Sequence, residues 1–284
     1  MLYLFATILL ATAIFIIFRL FKQLEIDNLQ AITMNYVVAS SFGFLVYDKP
    51  FQLSQISEAA WFPLVFLIGL MFIGVFFLFA LSSQKAGVAI TAVSAKMSVV
   101  IPAAAGFLLF GDAFSWIKVS GIAVALAAFY FTFKKNGSMI TDYAALILPV
   151  FLFLGTGTND LLMKYTEFHM VHGDLMLLLS CIFGVALIVG FSALSFKLIM
   201  GRTKLKAKNF IAGFLLGFVN FGSTYFLFRS MEYFDSSLMF PIRNTGVVSL
   251  SALAGLFFFK EYLSRTNWLG IALAILAILS IAIG

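Results

Sequence analysis

Residues 61–83 read WFPLVFLIGLMFIGVFFLFALSS, an unbroken run without a single charged side chain. Wound as a helix at 1.5 Å per residue, the run is about 34 Å long, enough to cross the ~30 Å hydrocarbon core of a bilayer. A strand of a membrane barrel would show segments of ~10 residues alternating apolar and polar positions, whereas this stretch is apolar on every face. It therefore reads as a spanning helix. Trp61 stands at its start, where an indole suits the headgroup zone.

Working outward, runs of similar length occupy residues 2–18, 29–47, 87–110, 114–133, 143–164, 175–196, 209–229, 235–259 and 266–284, which makes ten expected spans joined by short connections. Trp116 and Trp268 also fall at span starts, as interfacial anchors. The composition agrees: 63% of the 284 residues are hydrophobic and 11% charged, too little polar surface for a water-soluble globule. Thirty-six Phe exclude disorder, and the single Cys181 excludes a disulfide framework within one chain. Met1-Leu2-Tyr3 offers no basic leader region, so the first run is counted as a span and not as a cleaved signal. The expected fold is all-α and integral to the membrane, with ten transmembrane helices.

The net charge of +6 is spread thinly over an apolar chain, a pattern of membrane orientation and not of nucleic-acid binding. With ten spans both termini share a side. Twelve Lys and Arg fall on the side opposite the termini, including Lys197, Arg202, Lys204, Lys206 and Lys208, against Lys49, Lys118, Lys164 and Arg229 on the termini side. The asymmetry predicts extracytoplasmic termini in a multi-pass protein of the plasma membrane, the inner membrane in a bacterium. The 197–208 stretch reads as a stop-transfer loop, with a lipid-headgroup patch as the alternative.

Sliding the chain on itself by 149 positions pairs Ala103–Ala128 with Ala252–Ala277 without a gap. Gly106/Gly255, Gly121/Gly270, Ile122/Ile271, Ala125/Ala274 and Ala128/Ala277 are among the identities, and Asp112 faces Glu261. The repeat divides the chain into halves 1–138 and 139–284 of five spans each. Because five is odd, the second half enters the membrane from the opposite side, giving two inverted five-helix repeats. That architecture is common in secondary transporters, whose sites lie near the midplane between the halves.

Each half closes with a small-residue helix, an acidic turn (Phe110-Gly111-Asp112; Lys260-Glu261-Tyr262-Leu263) and then Gly-Ile-Ala. This pattern over nearly the whole chain resembles the drug/metabolite transporter superfamily, EamA-like branch. The resemblance implies a bundle in which the third, fourth, eighth and ninth helices surround a central cavity, the first, second, sixth and seventh move around it, and the fifth and tenth are peripheral.

An ionisable group deep in a span costs at least ~2.5–3.5 kcal/mol and usually faces a cavity or a partner. Lys96 in the fourth span and Arg243 in the ninth are the two such groups, and no Asp or Glu lies at their depths. Two deep cations without a deep acid point to an anionic partner. For Lys96 the alternatives are a stem snorkelling to the headgroups or a neutral amine bonded to carbonyls. For Arg243 the alternative is a structural bond to helix carbonyls, while its planar fork suits carboxylate or phosphate. In nucleotide-sugar and sugar-phosphate members of the superfamily, basic residues on the fourth and ninth helices bind phosphate, and the resemblance places Lys96 and Arg243 broadly there. The motifs around them, Ala92-Val93-Ser94-Ala95-Lys96 and Phe240-Pro241-Ile242-Arg243-Asn244, do not match closely.

Asn244, Asn220, Tyr225 and Asn35 are further substrate-site candidates, each with interhelical hydrogen bonding as the alternative; Tyr36, Ser223 and Thr245 are polar at similar depth. Pro102 and Pro241 near the two cations predict local kinks. Asp160 and Lys164, four apart, read as a helix pair or, with Glu232 and Arg229, as an outer gate. Gly213 and Gly217 permit close helix approach, within the monomer or between copies, and a monomer is favoured. His169 and His172 are assigned to an outer loop, without the further ligands a metal site needs.

The leading function is transport of a small anionic or zwitterionic metabolite by alternating access. The rivals are an intramembrane enzyme, a lipid scramblase acting on an anionic lipid or isoprenoid, and a channel. HExxH, GxSxG, a deep His and paired deep carboxylates are all missing from the sequence, so no enzyme activity and no cofactor are expected. No P-loop pattern supplies ATP drive, and the acid-free first span disfavours proton exchange through a deep carboxylate.

Overall fold

A computed structural model describes the chain except residues 48, 50–55, 57, 111–114, 134–142, 171–174, 232, 235 and 284, and the side chains of 110, 133, 143–146, 175 and 236–238. Among the described residues every regular element is helical. They are α1 (Leu2–Gln23), α2 (Asn28–Val46), α3 (Phe62–Lys85), α4 (Val88–Met97), α5 (Val100–Ala105) followed by a π-helical turn (Gly106–Phe110), α6 (Trp116–Phe133), α7 (Tyr143–Met170), α8 (Leu175–Ile199), α9 (Ala207–Met231), α10 (Ser236–Phe259) and α11 (Arg265–Ile283). Eight of the described helical stretches are long and apolar enough to cross a membrane, including Val88–Leu109 taken through α4 and α5. The apolar part of α6 is shorter, at Trp116–Thr132, and the 28-residue α7 carries Asn159, Asp160 and Lys164 in its second half. Among the described residues, eight of the ten expected spans thus meet the length and hydropathy of a membrane crossing.

Local chemistry sets the ends. Asp27 caps α2 by accepting from Leu29 N at 2.8 Å and Gln30 N at 3.1 Å, which satisfies two orphan donors of the first turn. At the end of α8, Gly201 takes a left-handed φ of +66° and the Arg202 N–H returns to Lys197 O, closing the helix as a Schellman turn does. The fourth span breaks at Ser98–Val99, one turn before Pro102, whose ring displaces a helical hydrogen bond there. α10, by contrast, runs unbroken through Pro241. His169 lies in the last turn of α7, not in a loop, because the helix continues past Lys164 to Met170; His172 lies outside the described residues.

The helices form two compact units interleaved along the chain. The first comprises Met1–Leu20, Leu78–Thr158 and Gly222–Gly284. Its core joins Ala89, Val93 and Met97 of α4, Ala125 and Ala128 of α6, Val248 and Ala252 of α10, and Ile271, Ala274 and Ala277 of α11. Small residues dominate because the backbones approach closely, and van der Waals packing replaces the hydrophobic drive that lipid does not supply. A methyl group on Gly121 would sit 2.9 Å from Ile281 N, and one on Gly270 would sit 2.5 Å from Thr132 N. These contacts are reciprocal: Gly270 lies 149 positions after Gly121, and Ile281 lies 149 after Thr132. They also show that α6 and α11 run antiparallel.

The second unit comprises Phe21–Phe77 and Asn159–Phe221, with a core of Val65 and Ile68 from α3 and Leu178, Cys181, Ile182 and Val185 from α8. Here α2 packs on α8. Gly43 lies against Ser180, and Gly190 lies against Thr33. This pair is reciprocal as well, at an offset of 147, since Gly190 follows Gly43 and Ser180 follows Thr33 by that number. Gly213 and Gly217 of α9 face Ala31 and Asn35 of α2, so their small size is used inside the monomer.

Candidate functional site

Arg243 is the eighth residue of α10, inside its apolar window Met239–Phe259, and is half-buried. Two of its N–H groups are held by hydroxyls of other helices: Nε donates to Thr7 Oγ1 of α1 at 2.9 Å, and Nη2 donates to Ser223 Oγ of α9 at 3.3 Å. Thr7 in turn donates to Ser223 O at 2.8 Å, and both hydroxyl residues are buried. The guanidinium is thus oriented by a hydroxyl network that joins three helices. Orientation of a planar fork by fixed partners is what carboxylate or phosphate recognition requires.

Two glycines make the network possible. A methyl group on Gly246 would fall 2.9 Å from Ile8 Cδ1, and one on Gly222 would fall 3.1 Å from Leu10 Cδ1. Glycine at these positions lets α1 approach α9 and α10 closely enough for the short Thr7 side chain to reach. Thr7 had no sequence signal, being one hydroxyl in an apolar run.

The other candidates divide between the units. Lys96 lies near the end of α4, which packs against α10 in the core of the first unit, and is partly buried. Asn244 adjoins Arg243, and Tyr225, two residues past Ser223 on α9, meets the Phe226 ring edge-on at 5.6 Å. Asn35 and Asn220 belong to the second unit and bond to each other, Asn220 Nδ2 donating to Asn35 Oδ1 at 3.2 Å. That contact joins α2 to α9 and fits interhelical hydrogen bonding. The Asn35 amide nitrogen and the Tyr36 hydroxyl are nevertheless buried without a hydrogen-bond partner among the described residues. Each costs ~1–3 kcal/mol that a water or ligand would remove.

Of the gate residues, Asp160 and Lys164 sit one turn apart on α7 in the second unit, and Arg229 lies over the Tyr3 ring at 5.7 Å in the first. Glu232 lies outside the described residues, as does Asp112. No cluster of metal-ligating side chains occurs among the described residues.

Glu261 is the acidic group that the structure adds. Its carboxylate accepts from Val88 N at 2.7 Å and Ala89 N at 3.3 Å, capping α4, the helix that bears Lys96. Across the Ala86-Gly87 turn, Arg19 Nη1 donates to the terminal carbonyls of α3 at Ser83 and Gln84. An acid at a helix start and a base at a helix end both complement the macrodipole. Gly87 and Gly255 leave room for the carboxyl, which a methyl group on either would strike.

Burial raises the Glu261 carboxyl above its ordinary 4.5, against the two backbone bonds and the nearby Arg19, which lower it. A folded value above the unfolded one means stability that is full below about pH 4.5 and declines as pH rises through the raised value. The thermal unfolding temperature should therefore fall with rising pH over that window, and Glu261→Gln should lessen the slope. An unchanged slope in the variant would remove Glu261 from this role.

Comparison with known proteins adds the fold. No family model matches the chain. An uncharacterized protein of Haemophilus influenzae is 26% identical over 279 residues, covering 95% of this chain and 94% of that protein. A solved structure described only as "Crystal structure of protein" aligns with a TM-score of 0.64 at 13% identity, over 98% of this chain and 94% of the other. The class of protein so defined is an all-helical membrane protein, whose architecture is shared nearly end to end with that solved structure.

Proposed function

We propose that the chain is a secondary transporter of a small anionic or zwitterionic metabolite. It works by alternating access between two inverted five-helix halves, 1–138 and 139–284, in the manner of the EamA-like drug/metabolite transporters. The observation that carries the reading is Arg243, a permanent cation within a membrane-length helix, oriented by Thr7 and Ser223. Such a charge is costly in lipid and repays its cost by binding. Lys96, from the other half but in the same packed unit, supplies a second positive charge, and Asn244 and Tyr225 supply neutral hydrogen bonds.

The reciprocal contacts support the inverted halves. A two-fold axis relating two segments makes residue i of one meet residue j of the other while j of the first meets i of the second. Gly121 with Ile281 and Thr132 with Gly270 obey this rule at the 149-residue offset found in the sequence. Gly43 with Ser180 and Thr33 with Gly190 obey it again. Antiparallel α6 and α11 fit an axis lying in the membrane plane, and on this reading α6 and α7 complete ten spans.

The reading is tested by screening metabolites for thermal stabilisation of the purified protein and then measuring counterflow of those that bind. Chemical conversion without counterflow would make the protein an enzyme, and unsaturable flux would make it a channel. From the lysine and arginine distribution we further propose that both termini lie outside. A C-terminal fusion should be active with a periplasmic reporter and silent with a cytoplasmic one; the opposite pattern would reverse the topology.

A further inference from the structure

The turn between α1 and α2 and the connection between α8 and α9 are pinned together in the second unit by one buried amide. Gln30 is 1% exposed and uses both ends of its side chain. Nε2 donates to Thr203 Oγ1 at 3.0 Å and Lys204 O at 2.9 Å, while Oε1 accepts from Lys206 N at 3.2 Å and Asn209 Nδ2 at 2.9 Å. Asn209 Oδ1 then accepts from Asp27 N at 3.2 Å. The connection is thereby held at its Lys204 and Lys206 backbone and at the Thr203 hydroxyl. Above the fixed floor is a cleft of about 360 Å³, within the ~300–1,000 Å³ of small-molecule sites.

The cleft carries charges of both signs: Arg202, Lys204 and Lys206 from the connection, and Glu25 and Asp27 from the turn. Asp27 is occupied in capping α2. Glu25 stands in the left-handed region at φ 51°, at a helix end where glycine is the usual residue. A non-glycine residue held there is strained, and such strain gathers at functional positions. Exposed Leu24, Met200 and Leu205 border the charged side chains. Apolar side chains interleaved with lysines at the ends of membrane-length helices belong at the level of lipid headgroups.

We propose that this cleft binds the phosphoethanolamine headgroup of a membrane lipid, its phosphate at Arg202, Lys204 and Lys206 and its ammonium at Glu25. A simple anion would meet repulsion from the carboxylates. The glycerol headgroup of phosphatidylglycerol gives Glu25 no cation, and the methylated ammonium of phosphatidylcholine has no N–H to donate. Arg243 belongs to the other unit, so the inference stands independently of the transport reading.

The test is thermal unfolding and native mass spectrometry of the full-length protein in detergent, with chain-matched phosphatidylethanolamine, phosphatidylglycerol or phosphatidylcholine, or with soluble O-phosphoethanolamine. Phosphatidylethanolamine should raise the melting temperature by about 5 °C and exceed the other lipids. Arg202→Gln and Lys206→Gln should each weaken lipid binding by roughly tenfold. Glu25→Gly should keep or raise the lipid-free melting temperature, because glycine relieves the left-handed strain, and yet erase the preference for phosphatidylethanolamine over phosphatidylglycerol. Equal shifts from the two lipids, or a preference surviving Glu25→Gly, would overturn the ammonium assignment. Binding indifferent to both cation variants would overturn the cleft. Equal stabilisation by O-phosphoethanolamine would make the ligand a soluble metabolite and not a lipid.

Discussion

Replacing Arg243 by glutamine should raise the half-saturation concentration for an anionic substrate by roughly thirty-fold or more, with insertion and folding preserved. Removing one partner of a desolvated, hydrogen-bonded charge pair costs ~2–5 kcal/mol, and each 1.4 kcal/mol is about a decade in affinity. Glutamine keeps a polar group near Thr7 and Ser223 but removes the charge. Arg243→Lys should restore only part of the affinity, since an ammonium cannot offer two parallel N–H bonds and cannot meet both hydroxyls in the same geometry. Lys96→Gln should shift the same parameter in the same direction. Initial transport rates over a range of substrate concentrations measure both, and wild-type half-saturation in Arg243→Gln and Lys96→Gln together would make these residues structural.

The second large effect is on stability and comes from one methyl group. Gly270→Ala would place a carbon 2.5 Å from Thr132 N and Oγ1, with the backbone carbon of Phe131 at 2.9 Å. A backbone cannot rotate away as a side chain does, so α6 and α11 must separate, and overpacking of this kind costs ~1–3 kcal/mol. Gly74→Ala is the contrasting case. It is also helical, but nothing lies within 4 Å of an added methyl, and alanine favours the helix by up to ~1 kcal/mol. Thermal unfolding in detergent should show Gly270→Ala clearly destabilised and Gly74→Ala unchanged or more stable. Equal melting temperatures would mean that the two helices are not held at this distance.

What the sequence made legible was what lipid imposes. Apolar runs of membrane length fall where the helices are, because a bilayer leaves the backbone few alternatives. Their ends differ where a charge marks the boundary of the apolar run. α1 continues through Arg19 and Lys22 to Gln23, since Arg19 can turn its fork onto the carbonyls of α3. α7 continues through Lys164 and takes in His169.

The repeat was visible where packing demands identity, as at Gly121/Gly270, where only glycine fits between backbones. No such identity marks α2 and α8, where the reciprocal contacts Gly43/Ser180 and Thr33/Gly190 fall at an offset two residues shorter. A contact needing one glycine and one small hydroxyl leaves no sequence signature of its own. The site divides in the same way. Lys96 and Arg243 stand out as charges in apolar surroundings, whereas Thr7 meets Arg243 only through the close approach that Gly222 and Gly246 allow. Asn35 and Asn220 have the same polarity as ligands and are brought together as partners of one another.

The proposed transport of an anion bound at Arg243 is tested by counterflow into proteoliposomes loaded with the metabolite that stabilises the purified protein. Anion binding at Arg243 predicts that this metabolite carries a carboxylate or phosphate, that its labelled form accumulates saturably only when unlabelled substrate is trapped inside, and that Arg243→Gln shifts saturation to higher concentration. A saturable substrate that is purely cationic, or counterflow of an anion with unchanged affinity in Arg243→Gln, would contradict it.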